Sequence, residues 1–217
     1  VYLAIDTKMS RGRPRNFDVD VALDTALRLF WRHGYEGTSI AALAQAVGVT
    51  VPSLYAAFGN KESLFIRSVA HYGQYANRMY ERAFSASSAR QAAQEILMGE
   101  VELVVGSDTP EGCLMVQSAL ATSPESEPVR EAMAHIRRQT EIEVTQCFAR
   151  FQQQGGLPDG WEPATVAAYV MTVAAGMAVQ AKGGMTKSQL AKVAELAMMI
   201  WPIPPTAQPL RARKTDT

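Results

Sequence analysis

Cysteine and histidine are scarce in this 217-residue chain, which holds only Cys113 and Cys147 and His33, His71 and His135. Two distant cysteines make neither a disulfide framework nor a CxxC metal site, and the histidines share no ligand spacing with an acidic run. No metal is expected, and the default setting is a reduced, cytoplasmic one. Net charge is missing as well, because 21 basic residues meet 21 acidic ones. A broad positive field is thereby excluded, so any binding to nucleic acid has to come from a local patch. Gly-rich phosphate loops, serine elbows and paired catalytic carboxylates are all lacking, so neither an enzyme nor a cofactor is expected. Residues 1–5 before Asp6 fall short of a signal-peptide core. The longest uncharged stretch, residues 163–181, is only modestly hydrophobic and reads as a buried helix, with no membrane role.

What the chain does have is helical punctuation. Its 47% hydrophobic share is that of a globular protein, and its length fits one large domain or two small ones. Residues 8–15 carry Lys8, Arg11, Arg13 and Arg15 and no acid. This stretch is either a solvated tail or a basic arm that reaches phosphates or a minor groove. In residues 18–33, Val19, Leu23, Ala26, Leu27 and Phe30 recur at three- and four-residue steps, and Gly34 ends that helix. Thr38 is the expected N-cap of a second helix with Ile40, Leu43, Ala44 and Val47 on its apolar face, closed by Gly48. Thr50 caps a third, short helix over Val51–Phe58, with Pro52 in its first turn. Leu54 and Phe58 point inward there, leaving Ser53, Tyr55 and Ala56 outside. Asn60 caps a long fourth helix over residues 61–83.

Helix, glycine turn and short helix is the form of a helix-turn-helix, although generic helical hairpins share it. The run from Thr38-Ser39-Ile40 to Gly48-Val49-Thr50, continued by Ser53-Leu54-Tyr55 and by Phe58-Gly59-Asn60-Lys61-Glu62-Ser63-Leu64-Phe65, resembles the TetR family of transcriptional regulators. Ala26-Leu27-Arg28-Leu29-Phe30 and Gly34-Tyr35-Glu36-Gly37-Thr38 are similar to that family's first helix and turn, so the match covers about residues 17–66.

The resemblance implies an all-α protein of about nine helices. A three-helix DNA-binding domain (residues 9–60, with the basic arm 8–15) precedes a helical ligand-binding and dimerisation domain (61–201) and a tail (202–217). It also implies that Tyr55 touches DNA, that Lys61 meets a phosphate, and that Thr38 starts a helix whose amides face another. The chemistry of the residues adds Ser53 and Val51 as base contacts, with Thr50 and the arm residues Arg11, Arg13 and Arg15 beside them. Ala56-Ala57 departs from the aromatic and His that the family often places after the Tyr, which removes a phosphate donor. Arg28 and Arg32 read as solvated charges.

The later helices carry the regulatory expectations. Breaks fall near residues 85–88, 106–112, 122–128, 155–163 and 183–186. Ala167, Ala168, Ala174, Ala175, Gly176 and Ala178 let the eighth helix pack closely, and the ninth, residues 190–200, adds Val193, Leu196, Ala197 and Ile200. Two such helices from each of two chains would form a four-helix bundle, the family's manner of dimerising. A small-molecule pocket is expected among Phe84, Met98, Cys113, Met115, Gln117, His135, Tyr169 and Met177. Cys113, in Gly112-Cys113-Leu114, has two readings. It is a small core residue, or a thiol lowered in pKa at a helix start that makes the protein redox- or electrophile-responsive. The functional expectation is a dimeric repressor on a palindromic double-stranded operator, released by an unknown effector.

Overall fold

The computed structural model describes residues 17–120, 123 and 126–202, so the arm residues Arg11, Arg13 and Arg15 and the tail beyond 202 lie outside them. Among the described residues there are nine α-helices and no strand. The first three are α1 (Val19–His33), α2 (Ile40–Val47) and α3 (Val51–Phe58). The long α4 (Lys61–Phe84) follows, then α5 (Ala89–Val104) and the short α6 (Leu114–Leu120). The set closes with α7 (Glu127–Gln153), α8 (Pro163–Lys182) and α9 (Lys187–Ala197), which runs into a 3-10 turn over Met198–Ile200.

Local chemistry sets the ends of the first helices. Asp18 accepts from the amides of Asp20 and Val21 to start α1, Thr50 accepts from Ser53 to start α3, and Asn60 accepts from Ser63 to start α4. Gly48 adopts the left-handed conformation (φ 77°, ψ 31°) between α2 and α3, which an L side chain resists. As a result α2 and α3 meet at 93°, within the usual angle for this motif. At Gly37 a Cβ would stand 2.3 Å from the His33 carbonyl oxygen, so the turn after α1 admits no side chain.

Thr38 requires a correction. Ser39, not Thr38, caps α2, accepting from the Ala42 amide at 3.1 Å. Thr38 is 2% exposed, and its hydroxyl donates to the Gly34 carbonyl at 2.7 Å. That bond turns the hydroxyl inward to lock the α1–α2 turn, and so away from any phosphate.

The three-helix unit packs on α4 through aromatic rings. Phe30 meets Phe65 edge-on at 5.0 Å, and Trp31 meets Tyr72 edge-on at 4.7 Å. Such pairs add about 0.5–1.5 kcal/mol each beyond burial. Arg28 is also corrected, since it is not a simple solvated charge. Its Nε donates to Asp24 at 2.7 Å and its Nη1 to the Asp108 carbonyl at 2.6 Å, tying α1 to the loop after α5. Burial pushes the Asp24 carboxyl up, but hydrogen bonds from Arg28 and from the Tyr75 hydroxyl outweigh it and hold it below its ordinary range.

Around α5 the remaining helices continue the same core. The buried residues of α5 are Ala89, Ala92, Ala93, Ile96, Leu97, Gly99, Glu100, Val101, Leu103 and Val104, and both α4 and α8 lie against them. By length and composition α8 is apolar enough to cross a membrane, yet Val166, Ala167, Val170, Ala174 and Ala178 are buried where it packs on α5 and α7. Its opposite face is small and exposed at Thr165, Ala168, Thr172, Gly176 and Val179. Ala175 departs from the expected packing stripe, because it faces an internal cavity.

Candidate nucleic-acid interface and ligand cavity

Leu54 and Phe58 anchor α3 in the core, which turns Pro52, Ser53, Tyr55 and Ala56 outward together. Tyr55 stands free at 43% exposure. Thr50 and Ser53 share a side-chain hydrogen bond at 2.9 Å, so both hydroxyls lie at the start of this helix. Val51 is half-buried and packs on the core, which limits the apolar contact it offers outward. Lys61 opens α4, with its ammonium 4.3 Å from the Tyr35 ring centroid. Partial burial lowers its pKa, and Glu36 works against that shift. Sequence reasoning missed Tyr35 as the platform for this ammonium. It also missed the exposed Ser39, which caps α2, and the exposed Gln45 on α2. The serine was legible as the alternative cap next to Thr38.

Thus Tyr55, Ser53, Thr50 and Lys61 come together on one end of the molecule, and Thr38 does not join them. An exposed helix with a tyrosine and a serine on its outer side fits a major groove. A lysine at the N-terminus of the next helix adds charge and free amides for a phosphate.

A second site lies inside the later helices. A cavity of about 290 Å³ is bounded by Tyr72, Ala76, Met79 and Tyr80 of α4, Ile96, Glu100 and Leu103 of α5, and Cys113, Met115 and Val116 at α6. Arg137 and Thr140 of α7 with Met171, Ala174 and Ala175 of α8 complete it. Its volume is near the lower end for small-molecule sites, and its wall is overwhelmingly apolar.

Of the eight expected pocket residues only Cys113 and Met115 stand in this wall. The other six lie outside this wall. His135 is exposed on α7. The Tyr169 hydroxyl donates to the Ala197 carbonyl at 3.0 Å, clamping α8 to α9. Met177 is a core residue and Met98 packs half-buried on the outside of the core. Phe84 borders a separate shallow hollow with Cys147 and Arg150, and Gln117 leaves its buried Nε2 unpartnered away from the cavity. Glu100 was missed, although a carboxylate between Ile96, Leu97, Val101 and Val104 in a buried stripe was visible in the sequence.

Electrostatics around the cavity favour neutral forms. Burial raises the Glu100 carboxyl to about 8. Burial, with Glu100 nearby, raises the Cys113 thiol to about 12, and the Tyr72 hydroxyl 3.3 Å away only partly opposes this. The α6 amides of Met115 and Val116 do lower the thiol, but burial outweighs them, contrary to the reactive reading of Cys113. Burial also drives the Tyr80 phenol upward.

Comparison with known proteins agrees with this arrangement. Residues 22–67 match the family model described as bacterial regulatory proteins, tetR family. The chain is 32% identical over 197 residues to the HTH-type transcriptional repressor ComR of Escherichia coli K12, covering 90% of this chain and 94% of that protein. It is 26% identical over 196 residues to the repressor BdcR of the same organism, covering 89% and 94%. Among solved structures it resembles a cysteine-substituted TetR family regulator, CifR, complexed with 26-base-pair double-strand operator DNA. That match has 40% identity and a TM-score of 0.83 over 88% of this chain and 100% of CifR. With the reading helix, its lysine-bearing neighbour and the helical body behind them all accounted for, the chain belongs to the TetR family of operator-binding transcriptional regulators.

Proposed function

We propose that this regulator is a homodimeric repressor that grips a palindromic operator and lets go when a small molecule fills the cavity. The observation that carries the reading is the path of α4. One uninterrupted helix bears Lys61 at the DNA-facing end and Tyr72, Ala76, Met79 and Tyr80 in the cavity wall. A ligand that favours one tilt of α4 thereby favours one separation of the two reading helices. Half-sites about 34–36 Å apart require one particular separation.

In this reading residues 9–60 bind DNA, with the arm 8–15 on the phosphates or in the minor groove, and residues 61–201 bind effector and partner. The protein acts on cytoplasmic DNA as a regulator and not as an enzyme. The partner is a second copy of the chain. Val179 of α8 and Val193, Leu196, Met199 and Ile200 at the C-terminal end form a large exposed apolar set beside the small residues of α8. A face of this kind is unusual on a monomer, and pairing it across a two-fold axis buries it.

Selection of bound duplexes from a random pool tests the DNA side. An enriched palindrome is expected, and a non-palindromic or absent consensus overturns the dimeric reading. The release step is tested by titrating small molecules against the operator complex. Failure of every cavity-binding compound to weaken that complex overturns it.

A second reading rests on the presence of the Cys113 thiol in the cavity wall, which would make an electrophile or oxidant the effector. The raised thiol pKa opposes it. Cys113→Ser protein that still releases operator with the same effector excludes this reading.

A further inference from the structure

Glu100 is the one carboxyl in the cavity wall, and it stands there at 6% exposure with no hydrogen bond among the described residues. Burying a carboxyl without a partner costs several kcal/mol if it is charged and much less if it is neutral. The groups that face it are the Tyr72 hydroxyl and Tyr80 phenol from α4 and the Cys113 thiol before α6. From α7 come Arg137 in the wall and Glu143 near Tyr80. The α8 wall contributes only Met171, Ala174 and Ala175. Arg137 is half-buried with its Nη1 unpartnered, and burial is the cause that raises the Glu100 carboxyl.

We propose that the Glu100 carboxylic acid is the polar anchor of the cavity, donating its proton in a hydrogen bond to an uncharged, mainly apolar small molecule that carries one acceptor oxygen. This rests on the reading of the cavity as an effector site. A carbonyl or ether oxygen meets the need, because a neutral acid in an apolar wall is a strong donor and no group of the described residues accepts from it. An ammonium ligand would require the acid to ionise and would add a second buried charge beside Arg137. A carboxylate ligand would match Arg137, yet it would bring a charge into a wall that is almost wholly apolar. The raised pKa keeps the acid form about tenfold in excess at pH 7. Neither the Cys113 thiol nor the Tyr80 phenol titrates below about pH 9, so alkaline loss of binding reports on Glu100.

The test uses four probes of one skeleton on the full chain: acetophenone, ethylbenzene, 1-phenylethylammonium and phenylacetate, titrated by calorimetry. Acetophenone is expected to bind at least about fivefold more tightly than ethylbenzene, the value of one neutral hydrogen bond. Its affinity should fall at least about threefold between ~pH 7 and ~pH 9 as the acid ionises, and about tenfold if the carboxylate form binds no ketone. Glu100→Gln should keep the preference for the ketone through its amide donor but lose the pH dependence. Glu100→Leu should bind ketone and hydrocarbon alike. The wild-type pH profile needs no variant and stands even where a substitution fails to fold. Tightest binding of the ammonium or of phenylacetate at pH 7, a flat ketone profile, or no probe binding below ~10 mM overturns the assignment. Operator release is scored on the same samples. A ketone that binds with the expected profile and leaves operator affinity unchanged upholds the Glu100 anchor while overturning the release mechanism.

Discussion

The indole Nε1 of Trp31 donates a buried hydrogen bond to the carbonyl of Gly112 at 2.7 Å. This single contact joins the first helix of the DNA-binding unit to the residue that precedes Cys113 in the cavity wall. The other side of the same indole lies edge-on against Tyr72, whose hydroxyl meets the Cys113 thiol. Trp31→Phe keeps one aromatic ring but removes the donor and part of the buried indole, leaving the Gly112 carbonyl unpaired beside a small cavity. A loss of about 1–3 kcal/mol in urea denaturation is expected. Unchanged stability would show that the bond has no net worth in the fold.

At the DNA end, Lys61→Ala should weaken binding to all sequences by a similar factor and reduce the salt slope by roughly one counterion. Ser53→Ala should instead change the ranking of base pairs within each half-site. Filter binding across a salt series separates the two. An unchanged slope for the lysine variant would remove its phosphate role.

Thr38 makes a contrasting case. Thr38→Val deletes the hydroxyl that donates to the Gly34 carbonyl and should cost about 1–2 kcal/mol of stability. The variant that remains folded should bind operator with wild-type affinity at a fixed salt concentration, since the hydroxyl is committed to Gly34. A weakened complex from a fully folded variant would mean that the hydroxyl reaches DNA after all.

Dimerisation is best probed on the outer face of α8. Gly176 faces open space, so Gly176→Arg leaves the protomer intact and puts an unpaired cation on the contact. Sedimentation should show dimeric wild type and monomeric variant at micromolar concentration. Ala175 is a poor probe, because its side chain turns into the cavity. A wild type that sediments as a monomer overturns the interface.

Stability should also follow the Glu100 proton. The folded-state pKa of about 8 lies above the ordinary 4.5, so the folded protein holds the proton over a window in which the unfolded chain has lost it. Stability is then highest below about pH 4.5 for this group and falls as pH rises towards 8, by on the order of 4 kcal/mol. Glu100→Gln should flatten that decline. Parallel slopes for wild type and variant in urea melts across this range would contradict the raised pKa.

The sequence made the DNA end legible because short helices with glycine stops leave few alternatives. Asp18, Gly48, Thr50 and Asn60 each sit where cap chemistry demands them, and Leu54 and Phe58 fix which side of α3 faces out. The cavity was not legible in the same way. Which of Met79, Met98, Met115, Met171 and Met177 reaches the interior depends on the packing of four long helices against one another. Composition selects soft residues without selecting their phase. Tyr169 illustrates the failure, because one hydrogen bond to Ala197 draws it from the cavity to the α8–α9 seam. Thr38 illustrates a finer one, since two adjacent hydroxyl residues competed for one cap.

A last consequence concerns the proportions of α4. From Tyr80 back to Lys61 the helix runs nineteen residues, or about 28 Å at the standard rise. No proline interrupts it, so it transmits angle without absorbing it. A swing of only ~5° at the cavity end then carries the lysine end through ~2.5 Å, most of the ~3.4 Å step between stacked bases. In the proposed two-fold pair the two swings would add to more than one base step, so a small tilt at the cavity would be enough to misalign the two α3 helices on their half-sites.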